Sequence, residues 1–407
     1  MERSALAERL GGVDRTGSTG AVVVTETDPL QFQAAFADAV AGAGPVFLAD
    51  PGWGTQEREQ LQARVRLRSS DSMETGWLAI PTGGSSGQLK LARHDGETIV
   101  AAVAGFSQHF GWPVVNAVGV LPLHHVAGLM GWLRCALTGG RYEAARWSEI
   151  AAGACPELNG DGPWCLSLVL TQLARLLDQP ASVAWLQRFE AVLLGGAAAG
   201  PDLLEAAAQA GVRLVPSYGA TETLGMAAAL RADAFLAGRR DCGDALPHAR
   251  LRIADDGLIG IEAKSLFRGY WPDLHGEAGW YPGDLGRWSA DGGLIIEGRA
   301  DALINTGGEK VNPTEVEARL RVVMGVNQVV VLGTPDPRWG ERVVAVVPSG
   351  QAWSMVEMRE RLAAELAPYK WPKACVEVAS WPVNAMGKVD RAALRRAVSG
   401  AVDPGGD

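Results

Sequence analysis

"AVLLGGAAAGPDLLEAAAQAGVRLVPSYGATET" occupies residues 191–223. It opens on an apolar run that stops at a Gly-Gly pair, the pattern of a buried strand and its exit. "PDLLEAAAQAG" follows with the composition of a helix. Pro201 suits its first turn and Gly211 its C-terminal end. "VRLVPSYGATET" is then a second strand with a glycine-containing exit. Strand, helix and strand in this order predict parallel pairing through a crossover helix. Ligands of such sheets bind beyond the carboxyl ends of the strands. Here those ends are "GGAAAG" and "SYGATET".

The same alternation extends upstream. "VNAVGVLPL" (115–123) is strand-like and runs into "HHVAGLMGWLRCALTGG", a helix expected to end on Gly139 and Gly140. "GAVVVTET" (20–27) and "GPVFLAD" (44–50) predict strands around a helix in "PLQFQAAFADAVAGAG". Downstream of Arg239 the pattern changes. "LRIADDGLIGIEAKSLFRGYW" and "GWYPGDLGRWSADGGLIIEGRAD" read as short strands joined by tight turns, an antiparallel, barrel-like part. Past Asp301, "TEVEARLRVV", "NQVVVLGTPDPRWGERVVAVVPSG", "VEMRERLAAEL" and "GKVDRAALRRAV" predict a small α+β domain. The expected fold is α/β: a large domain at 1–300 of mostly parallel βα layers plus that antiparallel part, and a small mobile C-terminal domain at 301–407. The tail "SGAVDPGGD" is expected to be disordered.

A chain of 407 residues exceeds the usual span of one core, in keeping with two domains. The formal net charge of −9 argues against broad nucleic-acid binding. Anionic ligands must then be held by local cations or backbone N–H groups. The five cysteines are scattered and form no CxxC pair, which suits a reducing compartment. "MERSALAERLGG" lacks the apolar core of a signal peptide. No apolar run reaches membrane-spanning length. The expected location is cytoplasmic.

"IPTGGSSGQLKLARH" (80–94) places glycines and hydroxyls after an apolar run and a lysine just beyond. Glycines allow close backbone approach, so that successive N–H groups can converge on an anion. Walker A spacing is absent, because the lysine comes three residues after Gly87. The loop alone is a weak signal.

Together with "SYGATET", "GWYPGDLGRW", "EGRADALINTGGEKVNPTEVE" and "NAMGKVDR", in this order, it resembles the adenylate-forming acyl-CoA synthetase superfamily over roughly residues 75–395. The resemblance implies a two-step reaction with ATP, Mg2+ and coenzyme A. A carboxylate attacks the α-phosphate of ATP to give acyl-AMP and pyrophosphate, and a thiol then displaces AMP. Thr82, Gly83, Gly84, Ser85, Ser86, Gly87 and Lys90 match the mobile phosphate loop, with Leu89 where the family often has proline. Gly196, Tyr218 and Gly219 fall in the nucleotide-binding exits, Tyr218 offering a face to adenine. Thr221 would donate to the α-phosphate. Glu222 resembles the magnesium-linked carboxylate, the hard oxygen donor such a cation prefers. Asp284 in "YPGDLG" would accept from the ribose hydroxyls, with Arg299 serving the ribose or the phosphates. A turn aspartate is the bland alternative for Asp284.

Asp301 matches the family's hinge. Lys388 would cross from the small domain to the reacting carboxylate and α-phosphate, where charge develops in the transition state. Gly307, Gly308 and Glu309 match the segment that approaches the site for the thiol step. His125 in "LPLHHVAGL" falls on the motif that borders the acid, and His124 is a second candidate. Without the motif, a histidine there would read as a core residue. Amino-acid-activating relatives carry an aspartate near this point, and only His-His appears.

The loop variant, the "LPLHHVAGLM" segment and the short part before the phosphate loop are most similar to the o-succinylbenzoate–CoA ligases of menaquinone and phylloquinone biosynthesis. The implied partners are a small carboxylic acid, ATP and coenzyme A, with no nucleic acid and no membrane span. Another aryl- or acyl-CoA ligase, a carrier-protein-loading transferase and a non-catalytic nucleotide-binding homologue stay open. So do the residues that hold a second carboxylate and the oligomeric state, a homodimer included.

Overall fold

The computed structural model describes residues 1–13, 19–67, 75–82, 88–196, 199–274, 279–383 and 389–399. The chain divides into two compact units. The first comprises Met1–Arg252, Gly260–Trp280 and Trp288–Leu294; the second comprises Ile253–Ile259, Tyr281–Arg287 and everything from Ile295 onward.

Among the described residues the first unit carries the four-stranded and the seven-stranded sheets. One has the order β1 (Val22–Val24), β2 (Val46–Leu48), β3 (Leu78–Pro81), β4 (Leu91–His94). Its first three strands are parallel, and β4 returns antiparallel to β3 with Pro81 opposite Leu91. The phosphate-loop sequence is therefore the connection of a hairpin. Thr82 N–H donates to the Lys90 carbonyl at 3.0 Å and closes its neck. Residues 83–87, and with them Gly83, Gly84, Ser85, Ser86 and Gly87, lie outside the described residues.

The second sheet contains β5 (Asn116–Gly119), β6 (Tyr142–Ala144), β7 (Trp164–Leu168), β8 (Ala191–Leu194), β9 (Leu214–Ala220), β10 (Gly225–Ala229) and β11 (Asp244–Ala245). Their spatial order is β11-β10-β9-β8-β7-β5-β6. Strands β5 to β9 pair in parallel, as the alternation predicts. Strand β10 folds back antiparallel on β9. Side chains alternate across the pleat. Leu166, Val192, Leu194 and Leu214 pack with Leu173, Leu176, Trp185, Leu204 and Ala207 on one face. Cys165, Ala191, Leu193 and Val215 pack with Phe106, Phe110 and Cys135 on the other. Both faces are dry, which is why these strands read as continuous apolar runs.

The expected caps are present. Helix Val126–Thr138 ends on Gly139 at φ 77°, and helix Pro201–Gln209 is followed by Gly211 at φ 64°. Asp95 caps helix Gly96–Phe110, accepting from Glu97 and Thr98 N–H at 3.1 Å and from Arg268 Nε at 2.7 Å. Burial pushes its carboxyl up, but Arg268 and the N–H donors outweigh burial and hold it below the usual aspartate range. A depressed carboxyl stabilises the fold above its unfolded pKa of about 3.9. That contribution disappears as pH falls through the lowered folded value. Asp95→Asn is expected to cost about 1–2 kcal/mol at neutral pH. Denaturant unfolding across a pH series should show the gap to wild type closing in acid, and a pH-independent gap would reject the assignment.

Downstream, β12 (Ala249–Ile253) pairs with β13 (Ile259–Ala263), and β14 (Asp284–Trp288) with β15 (Leu294–Arg299). These two hairpins are the antiparallel part. The second unit has a sheet in the order β17 (Glu309–Val311), β16 (Ile304–Thr306), β19 (Gly340–Pro348), β18 (Val330–Asp336). Strand β20 (Ala374–Val378) pairs parallel to β19. Helix Pro313–Met324 covers one face through Val316 and Leu320. Leu394 and Val398 of the last helix cover the other. Among the described residues no helix is long and apolar enough to cross a membrane.

Candidate active site

The chemistry-bearing residues of the first unit gather where β9 ends. Gly219 sits there because nothing larger fits: a Cβ on it would lie 1.8 Å from the Gly225 carbonyl oxygen on β10. This close approach lets the short 3-10 turn Thr221–Thr223 close over the strand end. Thr223 secures the turn, its Oγ1 donating to the Gly225 carbonyl at 2.6 Å and accepting from Ala220 N–H at 2.9 Å. Ser265 Oγ donates to the Thr223 carbonyl at 2.9 Å. Leu224 then takes φ 53°, a left-handed conformation that costs a leucine about 1–2 kcal/mol and persists only where its surroundings impose it.

Glu222 is buried within this turn, at 7% exposure, and is no surface cap. The Tyr270 hydroxyl donates to its Oε1 at 2.7 Å, and Phe267 N–H donates to its main-chain carbonyl at 2.7 Å. Lys90 Nζ stands 5.4 Å from the centroid of the Tyr270 ring. The base of the phosphate loop and the expected magnesium carboxylate are thus joined through a tyrosine, and sequence reasoning missed that tyrosine. His94 supports the neighbouring residue: its Nε2 lies 2.9 Å from the Thr221 carbonyl. A carbonyl only accepts, so Nε2 carries the proton. Burial pushes this imidazole down to about 4, with the Thr221 carbonyl pulling weakly the other way, so it is neutral. Tyr218 is half-buried on β9, and Gly196 follows β8 at φ 92°.

His125 is the N-cap of helix Val126–Thr138, and His124 precedes it. Asp50, just past β2, brings its Oδ1 to 3.5 Å from His124 Nε2 and its Oδ2 to 3.9 Å from His125 Nε2. The sequence shows no aspartate near this motif; the parallel sheet supplies one from far upstream, and it faces the histidines. Burial holds His124 below the usual histidine range against the pull of Asp50.

On the same helix lies Arg134, which the sequence reading also passed over. It is only 4% exposed, and among the described residues no carboxylate stands within ion-pair distance of it. Its guanidinium carbon sits 4.1 Å from the Phe106 ring centroid, and Nη2 is 3.8 Å from where a Gly225 Cβ would be. Burial lowers its pKa to about 10, which leaves it charged at neutral pH. Nearby His248 is pushed down to about 4 by burial and then by Arg134. Neither ring nitrogen of His248 has a hydrogen-bond partner among the described residues. His248 packs so tightly on Gly105 that a Cβ there would fall 1.8 Å from Nδ1. A buried cation without an anion is costly. This arrangement therefore fits a ligand that brings a negative charge.

The second unit holds the remaining described candidates. Arg299 forks between two carboxylates, donating to Asp301 at 2.8 and 2.9 Å and to Asp284 at 3.3 Å. These partners raise its pKa further. Gly307 and Gly308 form the two-residue turn between β16 and β17 with φ 59° and 87°, a hairpin turn closed to most side chains. Lys388 lies outside the described residues.

Comparison with known proteins agrees with this geometry. The model of the AMP-binding enzyme family matches residues 15–271, and that of the AMP-binding enzyme C-terminal domain matches 315–388. A probable 2-succinylbenzoate–CoA ligase of Mycobacterium tuberculosis is 33% identical over 379 residues, covering 89% of this chain and 94% of its own length. An indoleacetate–CoA ligase of Aromatoleum aromaticum is 29% identical, covering 90% of this chain and 76% of its own. Among solved structures, a variant of Escherichia coli MenE with bound OSB-AMS superposes with a TM-score of 0.76 at 25% identity, covering 98% of this chain and 92% of that one. The o-succinylbenzoate CoA synthetase of Bacillus subtilis shares the fold, with a TM-score of 0.77 at 21% identity over 97% of this chain and 91% of that one. The family model spans more than half of the sequence, and a relative one-third identical spans nearly all of it: the chain belongs to the AMP-binding enzyme family.

Proposed function

We propose that this protein is an AMP-forming acid–CoA ligase whose acid is o-succinylbenzoate. A carboxylate oxygen of the acid attacks the α-phosphorus of ATP, the α–β phosphoanhydride bond breaks and pyrophosphate leaves. The thiolate of coenzyme A then attacks the acyl carbon, the acyl–phosphate bond breaks and AMP leaves. The observation that carries the choice of acid is Arg134. A dicarboxylate has a second anion to offer a buried, uncompensated guanidinium; a monocarboxylate has none. The names of the relatives support the same reading.

The residue roles follow the motifs. Thr82, the 83–87 segment and Lys90 hold the β- and γ-phosphates. Gly196, Tyr218 and Gly219 take the adenine side, and Thr221 takes the α-phosphate. Glu222 supplies a carboxylate for magnesium, which prefers oxygen ligands and bridges phosphates. His125 borders the reacting carboxylate. Asp284 accepts from the ribose, Arg299 being anchored beside it. Asp284→Ala is expected to weaken ATP binding about tenfold and acid binding little. Calorimetry giving wild-type ATP affinity would reduce Asp284 to a turn residue that holds Arg299.

We assign residues 1–300 to ATP and acid binding and 301–407 to a mobile part that presents Lys388 in the first step and Gly307 and Gly308 in the second. One small domain cannot present both faces at once, so it must turn, and Asp301 is the pivot. Proline at 301 fixes φ near −65° and biases Ala300 toward extended backbone. Asp301→Pro should damage one half-reaction at least about tenfold more than the other. Asp301→Ala controls for the lost contact with Arg299. Equal rates of both half-reactions in the proline variant would remove the pivot. The five cysteines are unpaired, which suits a cytoplasmic setting.

The test is a panel of acids with ATP, Mg2+ and coenzyme A, reading pyrophosphate, acyl-AMP and acyl-CoA by mass. Turnover of o-succinylbenzoate well above benzoylpropionate, which lacks the ring carboxylate, is the expected result. Preference for indoleacetate would favour the aryl-acid relative's chemistry. Absence of pyrophosphate release with every acid would reject the ligase reading.

A further inference from the structure

Asp50 and His124 have no part in the ligase reaction proposed above, and with His125 they form a donor set of metal-binding type. We infer that Asp50, His124 and His125 bind a transition-metal ion, Zn2+ above all, separately from the magnesium carboxylate at Glu222. One ligand atom from each of the three lies within 4.8 Å of the others. Tetrahedral zinc with bonds of about 2.0–2.1 Å places its ligands about 3.3 Å apart. The 3.5 and 3.9 Å separations run to different oxygens of Asp50; with one donor atom from each residue the set closes from within 4.8 Å, a side-chain movement of up to about 1.5 Å.

The donors are partly positioned beforehand. Gly52 N–H donates to Asp50 Oδ1 at 2.8 Å and holds the carboxylate. His125 N–H donates to the Pro122 carbonyl at 3.1 Å, and its own carbonyl starts the following helix by accepting from Leu129 at 2.9 Å. Both imidazoles turn Nε2 toward the same carboxylate, and their ring centroids are 4.5 Å apart. All three side chains are largely withdrawn from solvent, at 15%, 9% and 21% exposure for Asp50, His124 and His125. Two imidazoles and one carboxylate suit zinc, cobalt or nickel; magnesium, which wants six oxygens, is a poor fit. Three protein ligands leave a fourth position for water or another donor.

A consequence rests on the functional reading above. A metal that takes His125 removes it from the reacting carboxylate, so Zn2+ should inhibit adenylation in competition with the acid and not with ATP.

The binding test does not depend on that reading. Tag-free, chelator-treated full-length protein is titrated with Co2+ and followed by its visible d–d absorption. One equivalent is expected to give the intense bands of a four-coordinate ion, Zn2+ to abolish them, and millimolar Mg2+ to leave them unchanged. Asp50→Ala and His124→Ala should each lose the bands while keeping the wild-type circular dichroism spectrum and melting temperature. No bands with the wild-type protein, bands that survive both substitutions, or displacement by Mg2+ would overturn the site. If either variant fails to fold, Asp50→Asn, which keeps size and shape, serves with the same readout.

Discussion

Lys388→Ala is expected to slow adenylation by on the order of a hundredfold or more, while thioester formation from supplied acyl-AMP should run at the wild-type rate. In the first step, negative charge spreads over the α-phosphoryl oxygens and the departing pyrophosphate. A placed ammonium in a water-poor site stabilises that charge most in the transition state. The second step breaks an acyl–phosphate bond, and under the alternation proposed above the lysine takes no part in it. Its place in "NAMGKVDR" and the match of the C-terminal family model up to residue 388 motivate the assignment. Single-turnover measurements of the two half-reactions check it. Equal losses in both would reject the lysine's role and the alternation of the small domain together.

The second large effect belongs to Arg134→Met. Truncating one member of a buried charge pair costs about 2–5 kcal/mol, much of it the penalty on the group left behind. KM for o-succinylbenzoate should therefore rise at least about thirtyfold. Benzoylpropionate, with no second carboxylate, should be used about as well as before. Without ligand the variant should be as stable as wild type or more so, since methionine removes an uncompensated buried charge. These two readouts move in opposite directions, which a merely structural arginine would not produce. A fall in melting temperature with equal loss toward both acids would show that Arg134 holds the helix and not the substrate.

The local signals in the sequence survive folding because they are local. Gly139 and Gly211 mark helix ends, since a left-handed residue is needed there and glycine adopts it cheaply. Alternation of strands and helices gave the parallel sheet, since a crossover helix needs many residues between parallel partners. What stayed hidden depends on distance along the chain. Tyr270 reaches Glu222 across 48 positions, and no period or motif in the reading linked them. Asp50 meets His124 only because the end of β2 lies beside the start of the Val126–Thr138 helix in three dimensions. Arg134 did carry a signal, a single charge inside the apolar run "GLMGWLRCAL", and that exception to the pattern was there to be weighed. The second unit also takes in Ile253–Ile259 and Tyr281–Arg287, short segments that reading along the chain assigned wholly to the large domain.

Gly105 and His248 have a bearing on how this enzyme could be retooled. One residue lacks a side chain where the other's ring is seated, so the two positions share a single allotment of volume beside Arg134. Enlarging residue 105 alone forces the imidazole against its neighbours, and shrinking residue 248 alone opens a void. Either change by itself should lower yield before it alters preference, and a library that varies one position at a time will discard the useful combinations. Paired libraries, with bulk moved from 248 to 105 and Arg134 exchanged for an apolar residue in the same clone, search the sequences in which an aromatic monocarboxylate could take the place of a dicarboxylate.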